Sequence, residues 1–130
     1  MKEVYDFLRS CGSFYIATVE DDQPRVRPFG VLNIFEDKLY VQTGKGKNVS
    51  KQIQKNPKVE ICGCIGDKWI RVSGKLIRDD RREAKVSLIE NNPFIKSMYS
   101  ADDDNTEVLY FEDATATFYS FTDEPKVVKF

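Results

Sequence analysis

Thr43-Gly44-Lys45-Gly46-Lys47 brings a hydroxyl, two glycines and two lysines together directly ahead of a short helical stretch that begins at Asn48. Glycines let a backbone wrap closely around a ligand, and the free N–H groups at a helix N-terminus favour negative charge. The chemistry open to such a turn is the holding of an anion, a phosphate above all. Arg27, one hairpin earlier, adds a guanidinium suited to the same task. The turn is not a P-loop, because the GxxxxGK[ST] spacing is absent and Asn48-Val49-Ser50 follow it. The plainer reading is a flexible basic loop. The helix N-terminus weighs against it, favouring an anion by about 0.3–1 kcal/mol even when exposed.

The chain contains no histidine. That excludes Ser-His and Cys-His nucleophile pairs and histidine metal sites. Catalysis remains open if a bound cofactor carries the reaction. Cys62-Gly63-Cys64 sets two thiols on one strand face, but no further cysteine or histidine lies nearby to complete a tetrahedral site. These are read as buried structural thiols, and no metal is expected. Asp102-Asp103-Asp104 lacks the spaced ligands of a calcium loop and reads as a solvated turn. Arg78, Arg81, Arg82 and Lys85 are offset by Asp79, Asp80 and Glu83, as in a salt-bridged helix start. Trp69 suits a core, an interface or a stack on a flat ring.

The elements that must position these groups follow from periodicity and turn signals. Residues 2–11 place Val4, Phe7, Leu8 and Cys11 at helical spacing, closed by Gly12. Residues 13–20 alternate as a strand. A second strand is predicted over 25–35, with Pro28 marking an edge or a bulge, and a third over 39–42. Residues 48–55 form a short helix stopped by Asn56-Pro57. Strands are predicted over 58–65 and 68–78, then a helix opened by a capping box at Asp80–Glu83, and a turn at Pro93. A last hairpin, 107–112 and 114–121, turns at Asp113, and the tail with Val127, Val128 and Phe130 docks on the body. About seven strands joined by short turns imply a mainly antiparallel sheet, closed into a small barrel to remove its edges.

The chain's 130 residues form one domain, 1–130. Twenty basic residues stand against 21 acidic, so a general nucleic-acid binder is not expected. No run approaches the ~18–20 apolar residues of a membrane span. Three unpaired cysteines and no secretory signal suit a cytoplasmic protein.

Arg27-Pro28-Phe29, Thr43, Gly46-Lys47-Asn48, Asn56-Pro57-Lys58-Val59 and the run Ala114–Phe121 together resemble a known family. The chain resembles the FMN-binding split barrels of the pyridoxamine 5′-phosphate oxidase-like superfamily, and within it the small nitroimidazole-resistance (nitroimidazole reductase-like) group. The resemblance implies a mainly β fold with peripheral helices, an antiparallel split barrel, and a homodimer with FMN in its interface. It assigns Arg27, Thr43, Lys47 and Asn48 to the phosphate and ribityl chain. Pro28, Phe29, Gly30 and Gln42 would line the flavin ring, and Trp69 would approach the flavin or the partner subunit. Asn48-Val49 stand where the family commonly has an adjacent Arg-Lys pair. The C-terminus, Glu124–Phe130, lacks the Arg-x-His of true pyridoxamine phosphate oxidases, so vitamin B6 oxidation is not expected.

The implied function is flavin-dependent reduction of small electrophiles such as nitro compounds, with a nicotinamide as candidate electron donor. No catalytic residue is assigned; Tyr99, Tyr110 and Tyr119 are candidate proton donors. The alternatives are a non-enzymatic flavin carrier or sensor, and a haem or deazaflavin binder on the same barrel. Haem is disfavoured by the missing histidine.

Overall fold

A computed structural model describes all residues, Met1–Phe130. Helix α1 (Lys2–Cys11) buries Val4 and Leu8, one turn apart, and stops at Gly12, whose φ of 74° lies in the left-handed region. Strand β1 (Phe14–Glu20) points Phe14, Ile16 and Thr18 inward by simple alternation. Strands β2 (Gln23–Phe29), β3 (Leu32–Phe35) and β4 (Lys38–Gly44) follow, then α2 (Asn48–Lys55). β5 (Lys58–Ile65) and β6 (Lys68–Arg78) keep the boundaries read from sequence. Helix α3 (Arg82–Glu90), a 3-10 turn (Pro93–Ile95), β7 (Thr106–Ser120) and β8 (Lys126–Lys129) complete the chain.

One antiparallel sheet holds all eight strands in the order β2-β1-β5-β6-β7-β4-β3, with β8 added along β7. Inward residues from both ends of that order meet in a single core cluster, Phe14 and Ile16 with Leu32, Leu39, Val41, Ile61, Val72 and Leu109. The sheet therefore curls around its own interior. Its end strands β2 and β3 are not paired with each other, so the barrel is split. Helix α2 lies over one end, burying Val49 and Ile53. Helix α3 covers the outer side with Tyr40, Leu88, Ile89 and Val108. No helix is long and apolar enough to cross a membrane.

Three expectations are corrected. The predicted strand 25–35 is two strands, interrupted at Gly30-Val31, and the halves stand at opposite ends of the sheet. The inward phase changes at the break, from Arg27 and Phe29 in β2 to Leu32 and Ile34 in β3, because each half packs from a different edge of the sheet. The predicted hairpin across Asp113 is one fifteen-residue strand, β7. Asp113 has the left-handed φ of a turn, 54°, but it marks a bulge. Between the pairs Ser73–Thr115 and Lys75–Glu112, Asp113 and Ala114 face Gly74 alone. A side chain at Gly74 would meet Ala114 Cα and the Phe111 ring at 3.1 Å, so glycine is what lets the bulge close. The capping box is also absent, since the N-terminus of α3 has no side-chain cap. Asp79 acts one step earlier, accepting the Arg81 backbone N–H at 3.1 Å.

Other expectations hold. Pro28 sits on the sheet's edge strand, in unbroken register with β1. The tail docks through β8, and Phe130 exchanges both backbone hydrogen bonds with Ala114. The arginines of the α3 region are paired, Arg81 with Asp79 and Glu36, and Arg82 with Asp102.

Candidate functional site: an anion cleft between the edge strand and α2

Arg27 stands opposite Ile16 on β2, and antiparallel register turns its side chain to the inner face, toward α2. There Nη1 donates to Thr18 Oγ1 at 2.7 Å and to the Ile16 carbonyl at 3.2 Å, while Nη2 donates to Gln52 Oε1 at 2.6 Å. Thr18 donates to the same Gln52 oxygen at 2.5 Å, which locks the three side chains together. All these acceptors are neutral. Burial, and then the Arg25 charge, press the Arg27 pKa down. The guanidinium is held rigidly and lacks a counter-ion.

Lys47 and Asn48 complete the other wall. They are exposed at the start of α2, with Lys47 in the N-cap position, and no side chain caps the helix. Its first turn holds no acidic residue, so the unpartnered N–H groups face the cleft uncompensated. An open cleft of about 410 Å³ lies between, lined by Arg25, Arg27, Lys47, Asn48 and Gln52 and by the carboxylate of Glu20. Arg25 holds Glu20 at 2.9 Å, and that bond, followed by Gln52's, keeps the carboxyl below its usual range. The arrangement suits a phosphate-sized anion bound by two cations and a helix terminus.

The structure thus brings Arg27, Lys47 and Asn48 together. Pro28 and Phe29 continue along β2, with Phe29 packed edge-on against Phe14 at 6.4 Å, and Gly30 is exposed beyond the strand end. Thr43 and Gln42 lie apart from the cleft. Both are buried; Gln42 Nε2 donates to the Thr43 carbonyl, and Thr43 Oγ1 has no partner. Thr43 stands opposite Glu107 beneath α2, where Glu107 accepts from Ser50 at 3.0 Å and from Arg78 Nε at 2.6 Å. Trp69 is on the outer sheet face, stacked on Tyr119 with ring centroids 5.3 Å apart. Three strand spacings separate its strand from β2, about 14 Å. Within one chain it does not reach the cleft.

None of the three candidate tyrosines lines the cleft. Tyr119 accepts from Arg71 at 2.8 Å, Tyr110 packs on Tyr40, and Tyr99 packs beside α3. The cysteine reading is corrected. Cys64 is exposed and Cys62 half-buried, because both point outward from β5, whose inward positions are Val59, Ile61 and Gly63. Sequence reasoning missed Glu20, Arg25 and Gln52 in the cleft lining, and Thr18 behind Arg27. The signals were a polar residue in the inward phase of β1 and the four-residue spacing of Gln52 from Asn48.

A split antiparallel barrel with an anion cleft at its edge strand defines the class of protein. The pyridoxamine 5′-phosphate oxidase family profile matches residues 1–119, and the chain belongs to that family. A NimC/NimA family protein from Clostridium acetobutylicum is 46% identical over all of this chain and 92% of its own, with a TM-score of 0.97. A pyridoxamine 5′-phosphate oxidase-related, FMN-binding protein from Nostoc punctiforme shares the fold at 17% identity, with 99% and 93% of the two chains covered and a TM-score of 0.67. A haem-binding protein from Mycobacterium smegmatis shares it at 9% identity, over 91% of this chain and 52% of its own, with a TM-score of 0.71. Among curated proteins, none matches the chain.

Proposed function

We propose that the chain binds FMN and serves as a flavin-dependent reductase of small electrophiles such as nitro compounds, with a nicotinamide as electron donor. The observation that carries the reading is Arg27, a fixed guanidinium bonded only to neutral groups and facing an uncapped helix start. A phosphate monoester supplies the missing charge; riboflavin would not. The FMN-binding relative and the NimC/NimA likeness support the same assignment.

Arg27, Lys47 and the first turn of α2 would hold the phosphate. The free edge of β2 around Pro28–Gly30 would orient the ring, since β2 pairs with β1 on one side only. Bound there, the flavin supplies reversible hydride transfer. The chain's part is to hold the ring, present backbone donors to its polar edge and limit water. The open cleft leaves a ring exposed in one chain, so we place it at a homodimer interface formed by the outer sheet face, where Trp69, Tyr119 and the exposed Tyr15 and Phe121 lie.

The test is titration of apo-protein with FMN, riboflavin and haem, followed by anaerobic reduction with a nicotinamide and addition of a nitroaromatic. Tight FMN, weak riboflavin and nitro-driven reoxidation faster than with free FMN are expected. Equal FMN and riboflavin affinities would sink the clamp, and reoxidation no faster than free FMN would leave a flavin carrier. Haem is the second reading, favoured by the haem-binding relative, and a Soret band with no flavin binding would establish it.

A further inference from the structure

A second cleft opens where the barrel splits, beyond the end of β2. It encloses about 290 Å³ and is lined by Leu8, Arg9, Gly12, Gly30, Leu32 and Phe94. Leu8 and Leu32 make an apolar floor, both fully buried below it. Phe94, 64% exposed, stands at the wall with no aromatic partner. Gly12 has open space where a side chain would project. Arg9 supplies the one charge.

Arg9 is exposed, but like Arg27 it is bonded to neutral oxygens. Its Nη1 donates to Asn92 Oδ1 at 2.7 Å and Nη2 to the Asn91 carbonyl at 3.4 Å, and it lies 5.8 Å from the Tyr5 ring centroid. No carboxylate pairs with it. Asn92 is itself fixed, fully buried and donating to the carbonyls of Leu32 and Leu88 at 2.9 and 2.8 Å. The guanidinium is therefore anchored from behind by a rigid amide, with donors left over for a ligand.

We infer that this cleft is a binding site for single-ring aromatic compounds carrying a planar two-oxygen group, nitro or carboxylate. The ring would stack on Phe94 over the leucine floor, and the two oxygens would meet the planar fork of Arg9. The volume admits one small ring and little more. Resting on the flavin reading, the cleft becomes the substrate site: Gly30, the residue just past the end of β2, lies three residues from Arg27, within about 10 Å, a span that a five-carbon chain covers between phosphate and ring. On that reading the flavin ring would lie along the free edge of β2, between the phosphate cleft and the Phe94 cleft.

The full-length protein, with and without FMN, is titrated calorimetrically with benzoate and with nitrobenzene. Arg9→Met is expected to weaken benzoate about tenfold and nitrobenzene less, as a charge-assisted bond is lost. Phe94→Ala is expected to weaken both about threefold to tenfold, and its exposed position keeps the fold intact. Gly30→Val should block both ligands. FMN affinity should be unchanged in Arg9→Met and Phe94→Ala. Absence of saturable benzoate binding to the wild type, or equal benzoate affinity in the wild type and either of these two variants, overturns the inference. If FMN does not bind while benzoate binds and responds to both variants, the flavin reading falls and the cleft stands.

Discussion

Arg27, Lys47 and Asp79 show how charge is handled residue by residue. Arg27 lacks a counter-ion and is held by neutral oxygens, whereas Asp79 is oversupplied. Arg81 grips Asp79 through Nε at 3.0 Å and Nη2 at 2.9 Å, and the Tyr40 hydroxyl donates at 2.7 Å. Those bonds, Arg81's first, hold its carboxyl at about 2. A folded value below the unfolded one near 3.9 means stability present above that value and lost as pH falls toward about 2. Asp79→Asn should therefore cost about 2 kcal/mol near neutral pH. The gap to the wild type should narrow in acid denaturation curves below about pH 4. Lys47→Ala should weaken FMN by about 1.5–3 kcal/mol and leave riboflavin nearly unchanged in fluorescence titrations. Arg27, Lys47 and Asn48 were legible in the sequence because residue type and a helix start announce an anion site. Thr18, Arg9 and Phe94 were not, because their roles come from neighbours distant in sequence.

Elements add what residue types cannot show. The β7 bulge exists because Gly74 leaves room for Ala114 and Phe111. Gly74→Val should cost about 1–3 kcal/mol by overpacking, measured by urea denaturation, with little effect on cofactor affinity. Helix α2 is tied to β7 and β6 through Ser50, Glu107 and Arg78. The Glu107 side chain is fully buried while that of Arg78 is 31% exposed. Arg78→Met should therefore be the more damaging change, about 3–5 kcal/mol, because it strands a buried carboxylate. Glu107→Gln keeps the cavity filled and should cost less in the same assay. Strands β5 and β6 were legible to the residue because Gly66-Asp67 separates two alternating runs. The split of 25–35 was not, since its sign is a change of phase that only the packed core makes visible: Arg27 and Phe29 face inward before Gly30, Leu32 and Ile34 after it. Asp113 misled for a related reason: a left-handed aspartate serves a turn and a bulge equally well.

At the scale of the molecule, the two clefts and the outer aromatic face need one another if a flavin is to be enclosed. Trp69 and the anion cleft occupy opposite faces and separate strands of one chain, so a second subunit is the economical way to bring them to one ligand. Light scattering of the FMN-loaded protein should give twice the mass of the chain. A monomer with stoichiometric FMN would refute that arrangement. The family was legible at this scale through the order of several weak motifs along nearly the whole chain, confirmed by the profile match to residues 1–119.

The fifteen residues of β7 pair with β4, β6 and β8 at once. During synthesis the chain therefore emerges as two disconnected ladders, β2-β1-β5-β6 and β3-β4, each with an open edge until residue 106 and beyond leave the ribosome. The contacts that join them are of long sequence separation, which makes assembly slow and leaves strand edges available to other nascent chains. A ribosome stalled before β7 should thus hold an aggregation-prone intermediate, and protection by chaperones should end abruptly once that one strand is released.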